Sequence, residues 1–247
     1  MTVTWLSAFL DTPAATAPAA EEFWAGVTGW PPSPRRGEHG EFATLQLPDG
    51  DGFIVVQVVG EPPAGSVHLD VHTDDPVALG DQARSLGAEQ VADGDGFVVF
   101  RSPGGVTFCV VPHGGSRRAA PVFWPSGHSL VDQVCVDVPE PAFEGEAQFW
   151  ADLLGWPRMA GRLPEYERLL PPTGQPLQVL LQRLDEPDGP ARLHLDLAAE
   201  DVAAEVGRHL ALGAQGVRLA RHWTTLMDPA GRYYCVTSRD PGTGRLP

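Results

Sequence analysis

The sequence predicts an α+β protein made of two tandem copies of one domain, each copy built from two βαβββ modules. Three observations predict this fold class. Uncommon residues recur at one fixed spacing, helical and extended patterns alternate in the same order in both halves, and Gly- and Pro-rich turns separate the extended segments. The chain has 247 residues, enough for two domains that each bury a core.

The repeat is carried by residue types that are rare in proteins. Phe149-Trp150-Ala151 lies 126 residues after Phe23-Trp24-Ala25, and His194-Leu195-Asp196 follows His68-Leu69-Asp70 at the same spacing. Further pairs at this spacing are Gly29 with Gly155, Trp30 with Trp156, and Cys109 with Cys235. Because Trp, His and Cys are uncommon, their coincidence at one spacing indicates a duplication.

The two copies are separated by a stretch that lacks any helical or strand period. Residues 114–127 are rich in Gly, Ser, Pro and Arg, a composition typical of a linker. We therefore predict a first domain at 1–113, a linker at 114–127 and a second domain at 128–247.

Each copy shows the same order of elements. Segments rich in β-forming residues predict first strands at 4–10 and 131–136. Helices are predicted at 21–28 and 146–154, because apolar residues recur there at helical spacing and a glycine follows each segment. Extended segments with hairpin turns come next, and the order of strand, helix and strands then repeats. The second helices are predicted at 76–86 and 202–212.

The composition excludes several classes of function. A net charge of -15 with scattered arginines disfavours nucleic acid as a partner. No apolar run reaches the roughly 18 residues of a membrane span, and no secretory signal is evident, so we expect a cytoplasmic protein. The three cysteines are too few and of odd number for a disulfide framework. The absence of lysine excludes Schiff-base chemistry on that side chain.

The element order and four local motifs resemble the glyoxalase/bleomycin-resistance domains of the vicinal-oxygen-chelate superfamily. The motifs are Phe-Trp-x-x-x-x-Gly-Trp-Pro, the strand Arg192-Leu-His-Leu-Asp-Leu197, Leu-Gly-Ala at the second helix end, and Asp228-Pro-Ala-Gly231. They are similar to the glyoxalase-like branch common in small bacterial proteins. The resemblance covers nearly the whole chain and implies that the modules of each copy curl around a cleft.

In metal-dependent members of this superfamily, four cleft positions commonly supply ligands, typically His or Gln, then Glu, His and Glu. In the second copy these positions fall on Gln133, about Val179, His194 and Cys235, and in the first on Ser7, about Ile54, His68 and Cys109. Both carboxylates are missing in each copy, so a hard cation lacks its anionic ligands and we expect no metal cofactor. A zinc or iron site in the second copy stays an alternative, because thiolate and imidazole are acceptable ligands.

The His-x-Asp pairs are the strongest candidates for chemistry. Residues i and i+2 of a strand share a face, so His68 lies beside Asp70, and His194 beside Asp196. The resemblance implies that this face is the cleft. Three roles stay open: a hydrogen-bonded pair that binds ligand or supports structure, an acid–base pair, and part of a metal site.

Aromatic and helical residues complete the predicted site. Trp223 lies on a predicted strand, Tyr233 shares strand parity with Cys235, and Tyr166 lies near the predicted mouth of the cleft, so these residues are candidate ligand contacts. Of the remaining histidines, His209 neighbours Arg208 in a predicted helix and is expected to be solvated.

The expected function is the binding of a small organic molecule without metal. We expect the second cleft to be the working one, because it carries Gln133 where the first carries Ser7. The rival is an enzyme, a lyase, isomerase or oxygenase, that uses His194 as base or metal ligand. A third possibility is that one copy is purely structural. The sequence is compatible with a monomer and with a homodimer.

Overall fold

The computed structural model describes residues 2–60, 66–112 and 114–246. The first copy contains β1 (Val3–Pro13), α1 (Ala17–Thr28), β2 (Phe42–Thr44), β3 (Ile54–Val59), β4 (Val67–Thr73), α2 (Pro76–Ser85), β5 (Glu89–Asp93), β6 (Val98–Arg101) and β7 (Thr107–Pro112). Then follow β8 (Val122–Trp124), β9 (Gly127–Pro139), α3 (Phe143–Leu154), β10 (Arg158–Ala160), β11 (Tyr166–Leu169), β12 (Gln178–Leu184), β13 (Arg192–Ala199), α4 (Val202–Ala211), β14 (Gln215–Leu219), β15 (Trp223–Met227) and β16 (Tyr233–Thr237).

Each copy forms one mixed sheet. The order in the first sheet is β2-β3-β1-β4-β7-β6-β5, and in the second it is β10-β11-β12-β9-β13-β16-β15-β14, with β8 paired to β9. The β4–β7 and β13–β16 pairs are parallel, whereas the hairpin strands β6–β7 and β15–β16 are antiparallel. The predicted α+β class with two tandem domains is therefore confirmed.

The first copy has only isolated bridges where the second copy forms β10. These bridges join Pro32 to Leu45 and Arg36 to Phe42. Pro32 and Pro34 stand 126 residues before Arg158 and Ala160, the ends of β10. Because proline has no backbone N–H, it cannot donate to a strand ladder. The prolines thus account for the lack of a strand equivalent to β10 in the described residues of the first copy.

Part of the predicted linker is structured. Val122–Trp124 forms β8 and pairs with the beginning of β9, from Gly127 to Ser129. Residues 114–121 carry no regular element. The domain boundaries stay predictions, because the sheets and the compact units divide the chain in different ways.

Neither of the two compact units consists of a single copy. The first unit comprises Met1–Ala8, Val67–Arg117 and Val134–Leu193, and the second comprises Phe9–Ser66, Arg118–Gln133 and His194–Pro247. Each unit thus combines the first half of one copy with the second half of the other. A helix from one copy therefore covers strands that belong to the other.

In the second unit, α1 packs on β16 and on the turn before it. Phe23 and Trp24 of α1 contact the ring of Tyr234, with centroid separations of 5.9 and 5.2 Å. The indole Nε1 of Trp24 donates a hydrogen bond of 2.8 Å to Asp228 Oδ2, and Arg232 Nε donates to the same oxygen. All five side chains are buried. The aspartate thus satisfies an indole and a guanidinium in the core of this unit.

The first unit has the same arrangement with the carboxylate on the helix. Phe149 and Trp150 of α3 pack against Phe108, the residue equivalent to Tyr234. The indole of Trp150 donates to Glu146 Oε1 on α3. Ser102, which stands at the position equivalent to Asp228, donates to the same Glu146 oxygen at 2.6 Å. Burial raises the pKa of Glu146, although the bonds from Ser102, Gly104 N and Trp150 act to lower it.

Side chains of α4 and α2 cap the carboxyl ends of α1 and α3, respectively. Arg208 on α4 donates to the carbonyl oxygens of Gly26 and Val27 at the end of α1. The equivalent residue, Gln82 on α2, donates to the carbonyl of Asp152 on α3. The last carbonyls of a helix lack partners within the helix, so these bonds stabilise both helix ends.

The expectation that His209 is solvated is wrong. Its side chain is fully buried, with Nδ1 3.1 Å from the Tyr234 hydroxyl and Nε2 3.2 Å from Glu205 Oε1. Burial lowers the pKa of His209, against an opposing effect of Glu205. Burial acts to raise the pKa of Glu205, but bonds from Arg208, His209 and Ser129 outweigh it and lower the pKa to about 2. The helix pattern did not show that Phe23 of α1 lies against this histidine.

Replacement of Asp228 tests the packing of α1. In Asp228→Ala the guanidinium of Arg232 stays buried without its carboxylate, so we expect a loss of about 3–5 kcal/mol in the free energy of unfolding, measured by urea titration. Asp81→Ala removes the partner of Arg84 in an exposed ion pair and should change the same quantity by about 0.5 kcal/mol or less. Equal effects of the two substitutions would contradict this packing.

His209 should make the protein acid-sensitive near neutral pH. Because its pKa is lower in the folded state, the unfolded chain binds the proton first as pH falls, and the free energy of unfolding decreases below about pH 6.5. Urea unfolding at pH 7.5 and 5.5 measures this decrease. His209→Gln should show a smaller decrease than the wild type. The Glu205 contribution, lost only below about pH 4.5, does not enter this window.

Candidate functional site

In the second unit, the strands β13, β15 and β16 present an apolar face to the helices and a different set of residues on the opposite face. Tyr234 and Val236 of β16, with Leu226 of β15, are fully buried on the helix side. Paired residues of neighbouring strands point to the same side, so the alternate positions form the opposite face. This polar face consists of His194, Asp196, Trp223, Thr225, Met227, Tyr233, Cys235 and Thr237.

Three of these residues form the centre of the polar face. His194 Nε2 lies 3.3 Å from Asp196 Oδ1 and 3.8 Å from Cys235 Sγ, and Thr225 Oγ1 lies 3.5 Å from that sulfur. The His194 side chain is 13% exposed, whereas that of Asp196 is 4% exposed. The arrangement holds a mostly buried, partly exposed imidazole with a buried carboxylate beside it.

Gln133 joins this centre to a buried arginine. Gln133 Nε2 donates a 2.5 Å hydrogen bond to Asp196 Oδ2, and its oxygen accepts from Arg239 Nη1. Arg239 also donates from Nη2 to Asp132 Oδ1 at 2.6 Å and from Nε to Thr237 Oγ1 at 2.9 Å. Arg239, Asp132 and Gln133 are all buried. The result is a continuous network from Asp132 through Arg239 and Gln133 to the His194 pair.

The network favours the ionised form of Asp196. Burial acts to raise the pKa of this carboxyl, but the nearby charges of His194 and Arg239 and the hydrogen bonds of His194 and Gln133 outweigh it and lower the pKa. Asp196 therefore carries a negative charge at neutral pH and can hold the His194 ring in one orientation.

Arg239 and Asp132 were not among the residues singled out from the sequence. Arg239 follows the last strand and lies 106 positions from Gln133 in the chain, so no local pattern links the two. The one available signal is that it stands two residues after Thr237, which gives it the parity of the polar face. Asp132 precedes Gln133 on β9, so strand alternation assigns it to the opposite face of the sheet, and the sequence pattern gave no reason to single it out.

The first-copy cluster lies in the first unit and is arranged differently. His68 Nε2 is 3.8 Å from Asp70 Oδ1, and Cys109 is close enough to complete a group of three possible ligands. Ser7, at the position of Gln133, is hydrogen-bonded to His72 Nε2 at 2.9 Å. The position equivalent to Arg239 is His113, which lies outside the described residues. Among the described residues, an amide bonded to a guanidinium lies behind the His-x-Asp pair in the second copy alone.

The predicted aromatic contacts occupy different places. Trp223 and Tyr233 lie on the polar face with His194, on β15 and β16. Trp223 is half-buried and Tyr233 is 57% exposed, so Tyr233 offers its ring mostly to solvent. Tyr166 lies on β11 in the first unit and is half-buried.

An apolar crevice lies on the other face of the sheet. It is lined by Val27, Trp30, Val122, Leu130, Val131 and Leu197, among others, and is too narrow for a water molecule. Leu197 alternates with Asp196 along β13, so the crevice faces the helices. It is a packing defect and provides no ligand site.

The residues of the second cluster do not fit the hard divalent cation of metal-dependent superfamily members. The oxygen of Gln133 already accepts a hydrogen bond from Arg239. Two unit charges 4 Å apart repel each other by about 4 kcal/mol at an effective dielectric constant of 20, and a divalent ion about doubles this. A cation on the Gln133 oxygen would therefore be repelled by the guanidinium.

His194, Asp196 and Cys235 form a softer group of possible ligands. One ligand atom of each lies within 4.8 Å of the others. Asp196 is the only carboxylate of this group, and its Oδ2 accepts a hydrogen bond from Gln133.

None of the helices in the described part of the chain has the length and the apolar character of a membrane-spanning segment.

Comparison with solved structures identifies the fold. The Mn(II)-bound glyoxalase from Novosphingobium aromaticivorans superimposes with a TM-score of 0.64 at 18% identity, covering 100% of this chain and 87% of that one. The 2,2',3-trihydroxybiphenyl 1,2-dioxygenase from Sphingomonas wittichii gives 0.64 at 17% identity, covering 99% and 93%. The H200E variant of homoprotocatechuate 2,3-dioxygenase from B. fuscum gives 0.64 at 14% identity, covering 97% and 72%. At these identities the likeness concerns the fold.

Sequence comparison identifies the family. No curated protein matches the chain. The profile of the glyoxalase-like domain, however, matches residues 7–111 and 133–237, two ranges that are offset by the spacing of the internal repeat. The resemblance inferred from the motifs is thereby confirmed. The chain belongs to the glyoxalase-like domain family and carries two tandem copies of that domain.

Proposed function

We propose that this protein binds a small organic molecule on the polar face of the second-copy sheet, without a metal cofactor. The observation that carries the proposal is the partly exposed imidazole of His194, which the buried network of Asp196, Gln133 and Arg239 holds in place. A ligand group that bonds to this imidazole meets a ring that is already oriented, so little ordering is needed on binding.

The neighbours of His194 suit an organic ligand with an apolar or aromatic part. Trp223, Met227 and Tyr233 supply apolar surface on the same face, and Thr225 and Cys235 add a hydroxyl and a thiol. Apolar side chains with a few well-placed polar groups are the usual composition of small-molecule sites. Sequestration of a ligand, as in a resistance protein, requires no more than this.

An enzymatic role is the second candidate. The ionised carboxylate of Asp196 beside His194 Nε2 favours it, because a carboxylate that orients an imidazole is the arrangement used for proton transfer. His194 would take or give a proton at a ligand atom within hydrogen-bonding distance, and Asp196 would stabilise the protonated ring. The reaction would be that of a lyase or isomerase. The guanidinium of Arg239 disfavours a metal-dependent oxygenase reaction at this site.

Matched histidine variants test the proposed site. A panel of aromatic and polar metabolites is screened by thermal shift, and the affinity of any hit is measured by calorimetry. His194→Ala removes a hydrogen bond to the ligand and should weaken binding at least about 10-fold. His68→Ala changes the equivalent residue of the first copy and should leave the affinity unchanged.

Three results would count against the proposal. Loss of binding in His68→Ala with retention in His194→Ala would move the site to the first copy. Full affinity with loss of turnover in His194→Ala would favour the acid–base enzyme. Stoichiometric manganese, iron or zinc in protein purified without an affinity tag would contradict the metal-free site.

A further inference from the structure

Each of the three guanidinium nitrogens of Arg239 donates a hydrogen bond inside the second unit. Its Nε, Nη1 and Nη2 donate to Thr237, Gln133 and Asp132 respectively, and its side chain is 7% exposed. Three directed hydrogen bonds to buried partners fix the position of this group far more firmly than a surface ion pair would. A permanent positive charge is therefore fixed behind Gln133.

This charge decides which way the amide of Gln133 points. A glutamine can present either its oxygen or its nitrogen to a neighbour, but an arginine offers only donors. With the oxygen held by Arg239, the nitrogen faces Asp196 Oδ2 and donates to it. A flipped amide would place its N–H groups against the guanidinium and its oxygen against a carboxylate, and both contacts would be repulsive.

We propose that Arg239 determines the specificity of the second-copy site, excluding divalent cations and leaving His194 and its neighbours to organic ligands. The second half of this inference rests on the proposed function, which places the ligand there. The first half concerns metal alone. Arg239 acts through Gln133 and Asp196, so it is a positioning residue and does not itself contact the ligand.

The remaining groups would suit a metal once the guanidinium is removed. The oxygen of Gln133 would then be released beside Asp196, and His194 and Cys235 would add a nitrogen and a sulfur ligand from the same face. Nitrogen, sulfur and carboxylate oxygen are the ligand atoms that Zn²⁺ takes in proteins, with tetrahedral coordination. Removal of Arg239 should thus create a zinc site.

The test is a gain of zinc binding. Arg239→Met is combined with Asp132→Asn, because removing both members avoids a lone buried carboxylate. Every protein also carries His68→Ala, which removes the first-copy cluster as a background site. The affinity for Zn²⁺ alone is measured by competition with a chromophoric chelator. We expect one new equivalent bound at least about 100-fold more tightly than by the protein that retains Arg239.

Two controls separate this effect from a general loosening of the protein. Asp132→Asn alone keeps Arg239 and should bind Zn²⁺ as weakly as the parent. Addition of Cys235→Ala to the double variant should abolish the new equivalent, because Cys235 is a ligand atom source of the proposed zinc site. Should the double variant fail to fold, as judged by circular dichroism, Arg239→Gln provides a second neutral replacement with an amide that can still donate to Asp132.

The inference is overturned by either of two results. One is tight, Cys235-dependent Zn²⁺ binding by the protein that retains Arg239. The other is a folded variant without Arg239 that gains no such binding. Neither result involves an organic ligand, so failure of the metabolite screen and failure of this inference are distinguishable.

Discussion

The packing of each unit depends on a buried carboxylate that accepts a hydrogen bond from a tryptophan of the helix and a second bond from the other copy or from its own turn. In the second unit Trp24 donates to Asp228 of the second copy, and this bond fixes α1 on the turn that leads into β16. Because α1 comes from the first copy and β16 from the second, neither copy alone contains both sides of this contact. Both copies therefore contribute side chains to the hydrophobic core of each unit.

The two units pack the first helix on the sheet with different residues. The opposite faces of the two sheets also carry different residues. In the first unit Ser102 stands at the position of Asp228, and Glu146 of α3 supplies the carboxylate instead. The indole of Trp150 therefore still has a hydrogen-bond acceptor. Packing of Tyr234 against α1 also sets the orientation of β16, since its alternate residue Cys235 must then point to the polar face. The helix contacts thus determine where the His194 cluster is presented. Only the second copy has added an amide and a guanidinium behind it, within the described residues.

The sequence predicted what depends on local patterns. The repeat, the helix ends at Gly29 and Gly155 and the shared face of each His-x-Asp pair follow from spacing and strand parity. The burial of His209 and the contact of Arg239 with Gln133 could not be predicted in this way, because both depend on which distant segments pack together. The crossed composition of the units was missed for the same reason. A repeat reveals that two copies exist, but gives no information on whether they exchange helices.

Each compact unit is completed by segments of both copies. The most direct measurement is to insert a protease recognition sequence between the exposed residues Ser116 and Arg117, cleave the folded protein there, and determine the mass of the products under native conditions. The structure predicts that the two fragments stay together as a 1:1 complex with unchanged circular dichroism, because each unit needs both. Separation into two folded monomers, one for each copy, would contradict it.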